Sequence, residues 1–137
     1  DQFLIKDNHI AACGSVGEAI RRAKKYNSAI VKRSSATNAL AHHRTNAPLI
    51  EAEAKTLAEV REAVMEGVDI LLLDNMTLPQ IRQAVKIAKG KCLLEISGGV
   101  NLKNVRGYAA TGVERISIGA LTHSAPNVDI SFEIETR

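Results

Sequence analysis

The sequence predicts a partial, open parallel α/β barrel of TIM-like type, with its helices on the outside. Three observations carry the prediction. Short apolar runs recur along the chain, each ending on a polar or charged residue before a turn. Capped amphipathic helices lie between these runs, and a glycine follows each such helix. Apolar runs that alternate with amphipathic helices are parallel strands covered on both faces.

The runs, in order, are Phe3-Leu4-Ile5-Lys6, Leu49-Ile50-Glu51-Ala52-Glu53, Ile70-Leu71-Leu72-Leu73-Asp74, Cys92 to Gly99, and Arg115-Ile116-Ser117-Ile118-Gly119. Helix starts are marked by Ser15-Val16-Gly17-Glu18, Thr56-Leu57-Ala58-Glu59 and Thr77-Leu78-Pro79-Gln80, each a hydroxyl with Glu or Gln three residues later. Asn101 is the expected cap of a further helix. Apolar stripes follow at helical spacing: Leu57, Val60, Val64; Ile81, Val85, Ala88; Leu102, Val105, Ala109. Gly67, Gly90 and Gly112 stand where these helices stop, suited to a left-handed cap. The units repeat at roughly 20–23 residues, compact for strand–turn–helix. Right-handed crossovers between them give a curved sheet with helices outside. Five strands are too few to close a barrel of about eight. Asp129 to Glu135 alternates Ile130, Phe132 and Ile134 with polar residues, as a closing strand with one wet face does.

Tyr26 to Pro48 breaks the rhythm, since Lys6 to Glu53 spans about twice the repeat interval. The segment reads as a solvated loop in preference to an extra unit with Ala29-Ile30-Val31 as its strand. The His42-His43 pair in it suggests a metal, but adjacent residues diverge and no third ligand is apparent.

Bulk composition narrows the function. Aromatic residues make up 3% with no Trp, so the core is Ile, Leu, Val and Ala. The net charge of +3 is spread without aromatic partners, which argues against a nucleic-acid groove. Cys13 and Cys92 lie far apart, as in a reduced cytoplasmic protein without a structural metal. No apolar stretch approaches the ~20 residues of a membrane span, and no signal-like leader is visible. Beginning at Asp1 on the edge of a strand, residues 1–137 read as the carboxyl-terminal part of a barrel domain, without an amino-terminal domain or early strands.

In α/β barrels the chemistry gathers at the carboxyl ends of the strands. Ser97-Gly98-Gly99, followed by Asn101, is an expected anion cradle, because glycines let backbone N–H groups approach a phosphate. Gly119 to Ser124, including His123, offers a second such turn from the next strand. Glu53 and Asp74 end neighbouring strands and suit Mg²⁺ shared with substrate phosphates. Glu51 lies on the same strand face as Glu53, and the pattern does not separate them; Glu53 is preferred as nearer the strand end. Glu95, inside an apolar run, must be paired or face a wet interior. Lys6 is placed to neutralise phosphate, or to pair with one of these acids.

Lys6-Asp7-Asn8-His9-Ile10, Leu73-Asp74-Asn75-Met76, Glu95-Ile96-Ser97-Gly98-Gly99-Val100 and Ser117 to Ser124 together resemble the motifs of the quinolinate phosphoribosyltransferases, also called nicotinate-nucleotide pyrophosphorylases (carboxylating). The resemblance covers the chain apart from Tyr26–Pro48. It implies phosphoribosyl transfer from 5-phosphoribosyl 1-pyrophosphate to quinolinate with loss of CO₂, giving nicotinate mononucleotide for NAD biosynthesis. It further implies Lys6 on substrate phosphate or carboxylate, and Glu53 and Asp74 facing ribose and Mg²⁺. Ser97, Gly98, Gly99, Gly119 and His123 would then hold the 5′-phosphate. A dimer or larger homo-oligomer is implied for the full-length protein, with small-molecule partners and neither nucleic acid nor membrane. The alternatives are a paralogue of the molybdenum-transport-associated type and a catalytically inactive half-barrel. The chain departs from the family in its smaller neighbours at Ile50-Glu51-Ala52-Glu53-Ala54 and in the length of Tyr26–Pro48. The family's quinolinate-clamping arginines also have no counterpart, since Arg21, Arg22, Arg61, Arg82 and Arg106 belong to helix bodies.

Overall fold

The computed structural model describes residues 2–37 and 47–122, with side chains described over 2–30 and 47–122. Five strands, β1 (Gln2–Ile5), β2 (Leu49–Ala54), β3 (Ile70–Asp74), β4 (Leu93–Ser97) and β5 (Arg115–Ile116), form one sheet in the order β1-β2-β3-β4-β5. All pairings are parallel. Because neighbours in sequence are neighbours in the sheet, every crossover runs in the same sense and the helices collect on one face. These helices are α1 (Asp7–Cys13), α2 (Val16–Thr37), α3 (Leu57–Met65), α4 (Leu78–Ala88) and α5 (Val105–Ala109). The sheet is an open segment of barrel wall, as expected.

Period-two alternation decides what each face carries. Toward the helices point Ile50, Ala52, Ala54, Leu71, Leu73, Leu94 and Ile96, all buried against Val16, Ile20, Val60 and Ile81. Each large aliphatic side chain buried there contributes roughly 1.5–3 kcal/mol. The helix starts follow their caps. Thr56 accepts the Glu59 N–H at 3.2 Å while Glu59 accepts the Thr56 N–H at 2.9 Å. At Thr77 the backbone N–H donates to Gln80 Oε1 at 2.9 Å. Ser15 forms half a box: it accepts the Glu18 N–H at 3.2 Å, but the Glu18 carboxylate turns to Arg21 and Arg22. Gly67, Gly90 and Gly112 all have positive φ, as their stop positions require.

Two expectations are corrected, and one helix is present that the sequence pattern did not mark. Residues 26–37 are neither loop nor strand, because α2 continues through Ala29-Ile30-Val31 to Thr37. Tyr26 packs edge-on against Phe3 at 6.1 Å between ring centroids, and Asn27 Nδ2 donates to the Pro48 carbonyl at 2.7 Å. Those contacts bind the helix to the sheet where local propensity alone left it open. A first helix, α1, also begins directly at Asp7, so the chain turns away from β1 eight residues before the Ser15 cap. Asn101 opens a turn and not the helix: it accepts the Lys103 N–H at 2.9 Å, and α5 begins only at Val105. Leu102 is consequently 83% exposed, Ala109 is exposed too, and Tyr108 joins Val105 in packing on the core. His42, His43, His123 and the closing strand expected at 129–135 lie outside the described residues.

Candidate active site at the carboxyl ends of the strands

The register stacks the concave side chains in levels, because paired residues of neighbouring strands point the same way. Leu4, Glu51, Ile70 and Leu93 share one level. Glu53, Leu72, Glu95 and Arg115 form the next, and Asp74 and Ser97 the one above. Glu53 and Asp74 are therefore on adjacent strands and on the same face, with Asp74 one level nearer the rim. The last residues of β1, β2, β3 and β4 meet at this rim, together with the turn that follows β5.

Glu53 Oε2 accepts the Asp7 backbone N–H at 3.3 Å, which ties β2 to the start of α1. Asp74 accepts Asn75 Nδ2 at 2.9 Å and retains 17% side-chain exposure. Lys55, the residue after β2, brings its ammonium to 3.2 Å from Asp7 Oδ2 and 4.0 Å from Asp74 Oδ2. The Asp7 hydrogen bond, with further attraction from Glu53 and Asp74, holds the Lys55 ammonium above the ordinary lysine range. In return, Lys55 holds the Asp7 carboxyl below its ordinary value. A hollow of about 180 Å³ opens here, lined by Asp7, Ile10, Ala11, Glu53, Lys55 and Glu59. Lys6 is exposed at the end of β1, where its N–H donates to His9 Nδ1 at 3.1 Å, and no ion pair engages it among the described residues.

Below the rim the concave face carries Glu51 and Glu95 among the aliphatic side chains of Leu4, Ile70, Leu72 and Leu93. Glu51 is 3% exposed and accepts Gln2 Nε2 at 2.6 Å. Burial raises its carboxyl above the usual range, the nearby Glu95 raises it further, and Arg115 opposes both. Glu95 accepts the Ser117 hydroxyl at 2.6 Å and lies 3.9 Å from Arg115, which satisfies the requirement that it be paired. Glu51 and Glu53 thus differ in burial. Glu51 is sunk in the wall, and Glu53 stands at the hollow.

The two glycine corners fall on adjacent strands at the same end. Gly98 and Gly99 both have positive φ, +92° and +64°, and the Gly99 carbonyl accepts Asn104 Nδ2 at 2.9 Å. A Cβ on Gly98 would collide with the Asn75 side chain, so the β4 corner sits directly against the β3 corner that carries Asp74. Gly119 opens a 3₁₀ turn, Gly119–Leu121, whose Gly119 carbonyl accepts the Thr122 hydroxyl at 3.2 Å. Ser97, Gly98, Gly99, Gly119, Asp74, Glu53 and Lys6 are thus gathered at one rim.

Three residues at this end escaped the sequence pattern. Lys55 reads as a solvated turn lysine, and Asp7 as part of a motif without a separate role. Arg115 opens the last apolar run, and period-two alternation from Ser117 would have placed it on the same face. A larger hollow of about 490 Å³ lies at the opposite, amino end, beside Lys24, Asn27, Pro48 and Asp69. There Asp69 accepts the Ile50 N–H at 2.7 Å and Asn27 Nδ2 donates to the Pro48 carbonyl, while the buried Asn27 Oδ1 has no hydrogen-bond partner among the described residues.

A singly wound parallel wall with carboxylates, lysines and two glycine corners at its carboxyl rim defines an α/β-barrel protein that concentrates polar chemistry at the strand ends. Residues 27–133 match the model of the quinolinate phosphoribosyl transferase C-terminal domain, and the chain belongs to that family. It is 42% identical over 141 residues to the probable nicotinate-nucleotide pyrophosphorylase (carboxylating) of Methanocaldococcus jannaschii, covering 98% of this chain and 44% of that protein. The corresponding Bacillus subtilis protein is 37% identical over 134 residues, covering 98% and 40%. The solved nicotinate-nucleotide pyrophosphorylase of Ehrlichia chaffeensis superposes with a TM-score of 0.75 at 42% identity, covering 98% of this chain and 43% of that one. The chain therefore spans less than half the length of the relatives it matches.

Proposed function

We propose that this chain serves as the carboxyl-terminal barrel portion of a quinolinate phosphoribosyltransferase. The reaction joins the ring nitrogen of quinolinate to the anomeric carbon of 5-phosphoribosyl 1-pyrophosphate. The bond to pyrophosphate breaks, CO₂ leaves, and nicotinate mononucleotide remains. The observation that supports this reading is the meeting of Lys6, Glu53, Asp74, the Ser97–Gly99 corner and Gly119 at one rim of the sheet.

Each part has a physical task in that chemistry. The left-handed glycine corner and the Gly119 turn present backbone to a 5′-phosphate without side chains in the way. Lys6, on the strand that flanks β2, offsets the negative charge that accumulates on departing pyrophosphate. Glu53 and Asp74 supply hard oxygen donors to Mg²⁺, and the fit is supported by the cation already drawn to this place, the Lys55 ammonium. No three potential metal-ligating side chains converge among the described residues, so substrate oxygens would complete the coordination. Bound there, Mg²⁺ would act as a Lewis acid toward the pyrophosphate oxygens. His123 would add a phosphate contact.

No helix among the described residues is long and apolar enough to cross a membrane. The proposal places the protein in the cytoplasm, as a homodimer or larger homo-oligomer with small-molecule partners and no nucleic acid. The 137-residue chain alone is expected to bind phosphate without turnover, since Arg21, Arg22, Arg61, Arg82 and Arg106 lie on helices and Arg115 is directed at Glu95, which offers no clamp for two carboxylates among the described residues. The test is chromatographic detection of nicotinate mononucleotide from quinolinate, 5-phosphoribosyl 1-pyrophosphate and Mg²⁺ with the intact protein. Asp74→Ala should lower kcat about 100-fold or more while leaving the melting transition near that of the unaltered protein. Unchanged turnover in that variant would remove Asp74 from the site.

A further inference from the structure

We propose that Lys55 is a built-in counter-ion of the carboxylate rim, which a divalent cation must displace before it can reach Asp74. The inference rests on the reading of Glu53 and Asp74 as metal ligands and goes beyond it, because it gives Lys55 a role in controlling metal entry.

The geometry is specific. Lys55 follows β2 directly, so its position is set by the strand that carries Glu53, and its backbone N–H is fixed by Glu59 Oε2 at 2.7 Å. Its ammonium reaches across the rim between Asp7 of α1, at 3.2 Å, and Asp74 of β3, at 4.0 Å. It thus bridges three consecutive segments of the wall at the level of Asp74. It also lines the hollow together with Glu53 and Asp7. A divalent ion approaching Asp74 meets a positive charge close by and is repelled by it. The side chain is 50% exposed, so a swing into solvent breaks only the hydrogen bond to Asp7 and the longer ion pair to Asp74. The counter-ion therefore does two things. It keeps Asp7 and Asp74 from repelling one another while the site is empty, and it lowers the affinity for free metal. Metal carried in by a polyphosphate does not suffer the second effect, because the phosphate charges attract the released ammonium.

The experiment measures Mn²⁺ binding to the intact protein by the electron paramagnetic resonance signal of free Mn²⁺, without substrate. Lys55→Met keeps the alkyl stem and removes the charge. It should tighten Mn²⁺ binding about tenfold, and the gain should shrink as ionic strength rises. Adding pyrophosphate should narrow the gap between the variant and the parent protein. Asp74→Asn is measured in parallel. If Asp74→Asn abolishes Mn²⁺ binding while Lys55→Met leaves it unchanged or weaker, the counter-ion role is wrong and the metal site stands. If Asp74→Asn binds Mn²⁺ as the parent does, or neither Lys55→Met nor the parent binds it, the metal site and the counter-ion role both fall.

Discussion

The two faces of one sheet are built by opposite rules. On the helix side, β2, β3 and β4 present Ile50, Ala52, Ala54, Leu71, Leu73, Leu94 and Ile96, each no more than 2% exposed. On the concave side the same strands, with β1 and β5, present Gln2, Glu51, Glu53, Asp74, Glu95, Ser97 and Arg115 among Leu4, Ile70, Leu72 and Leu93, and local pairs hold the acids: Gln2 with Glu51, the Asp7 N–H with Glu53, and Ser117 and Arg115 with Glu95. The dry face owes its stability to area removed from water, and nothing there is chemically able to act on a substrate. The polar face must satisfy every buried charge to be tolerated at all. Singly wound topology makes this division possible, because all the helices are committed to one side. Folding and chemistry are thus assigned to alternate residues of the same strand.

The largest effect that tests this division is on the dry face. Leu71 is fully buried, and Leu71→Ala should cost about 2–5 kcal/mol in urea unfolding. Glu95→Gln, on the neighbouring strand but the other face, keeps the shape and an acceptor for Ser117 and should cost about 1 kcal/mol or less. A reversal of that order would break the comparison, since the concave network would then be holding the fold together.

The dry face was also the legible one. Its period-two alternation, the capping boxes at Thr56 and Thr77 and the glycine stops gave β2, β3, β4, α3 and α4 nearly to the residue. What escaped was decided by tertiary contact. Ala29-Ile30-Val31 has the composition of a strand, yet it lies in α2 because the helix is fastened to the sheet at Tyr26 and Asn27. The α1 helix is short and touches the core only through the half-buried Ile10 and Cys13, and none of its residues is fully buried. At the site, the positions of Glu53, Asp74 and the glycine corners follow from strand ends and were legible. The choice between Glu51 and Glu53 required knowing which carboxylate the wall buries. Lys55 required knowing where a flexible side chain comes to rest, and no local pattern encodes that.

A smaller effect is expected where the two faces meet, at Gly98. Its φ of +92° disfavours any side chain, and Gly98→Ala would press on Asn75, whose Nδ2 supports Asp74 at 2.9 Å. The backbone strain should cost about 1–3 kcal/mol. The sharper readout is phosphate affinity, which should fall in Gly98→Ala, whereas Leu71→Ala should leave it intact in the folded fraction. Equal loss in both variants would mean that the corner acts only through stability.

The smallest effect separates burial from function within the concave face itself. Among the described residues Glu51 is the acid buried deepest, and its carboxyl titrates above its ordinary value because of burial first and Glu95 second. For an acid shifted in this direction the unfolded chain releases its proton first as pH rises. Between the unfolded value, about 4.3, and the higher folded value, the unfolded state binds fewer protons, so stability contributed at Glu51 falls with increasing pH. Above the folded value the penalty is complete and constant. Glu51→Gln keeps an oxygen to accept Gln2 Nε2 and removes the charge. The variant should match the parent near pH 4 and become the more stable of the two, by about 1 kcal/mol or less, as pH rises toward neutrality. Measuring the difference between the two proteins cancels the exposed carboxylates Asp7 and Glu18, whose lowered values act with the opposite sign. If Glu51→Gln instead lost stability with rising pH, the ionised carboxylate would be wanted in the wall, held by Arg115 in preference to being strained by Glu95. Glu51 would then have to be reconsidered beside Glu53 as a working acid.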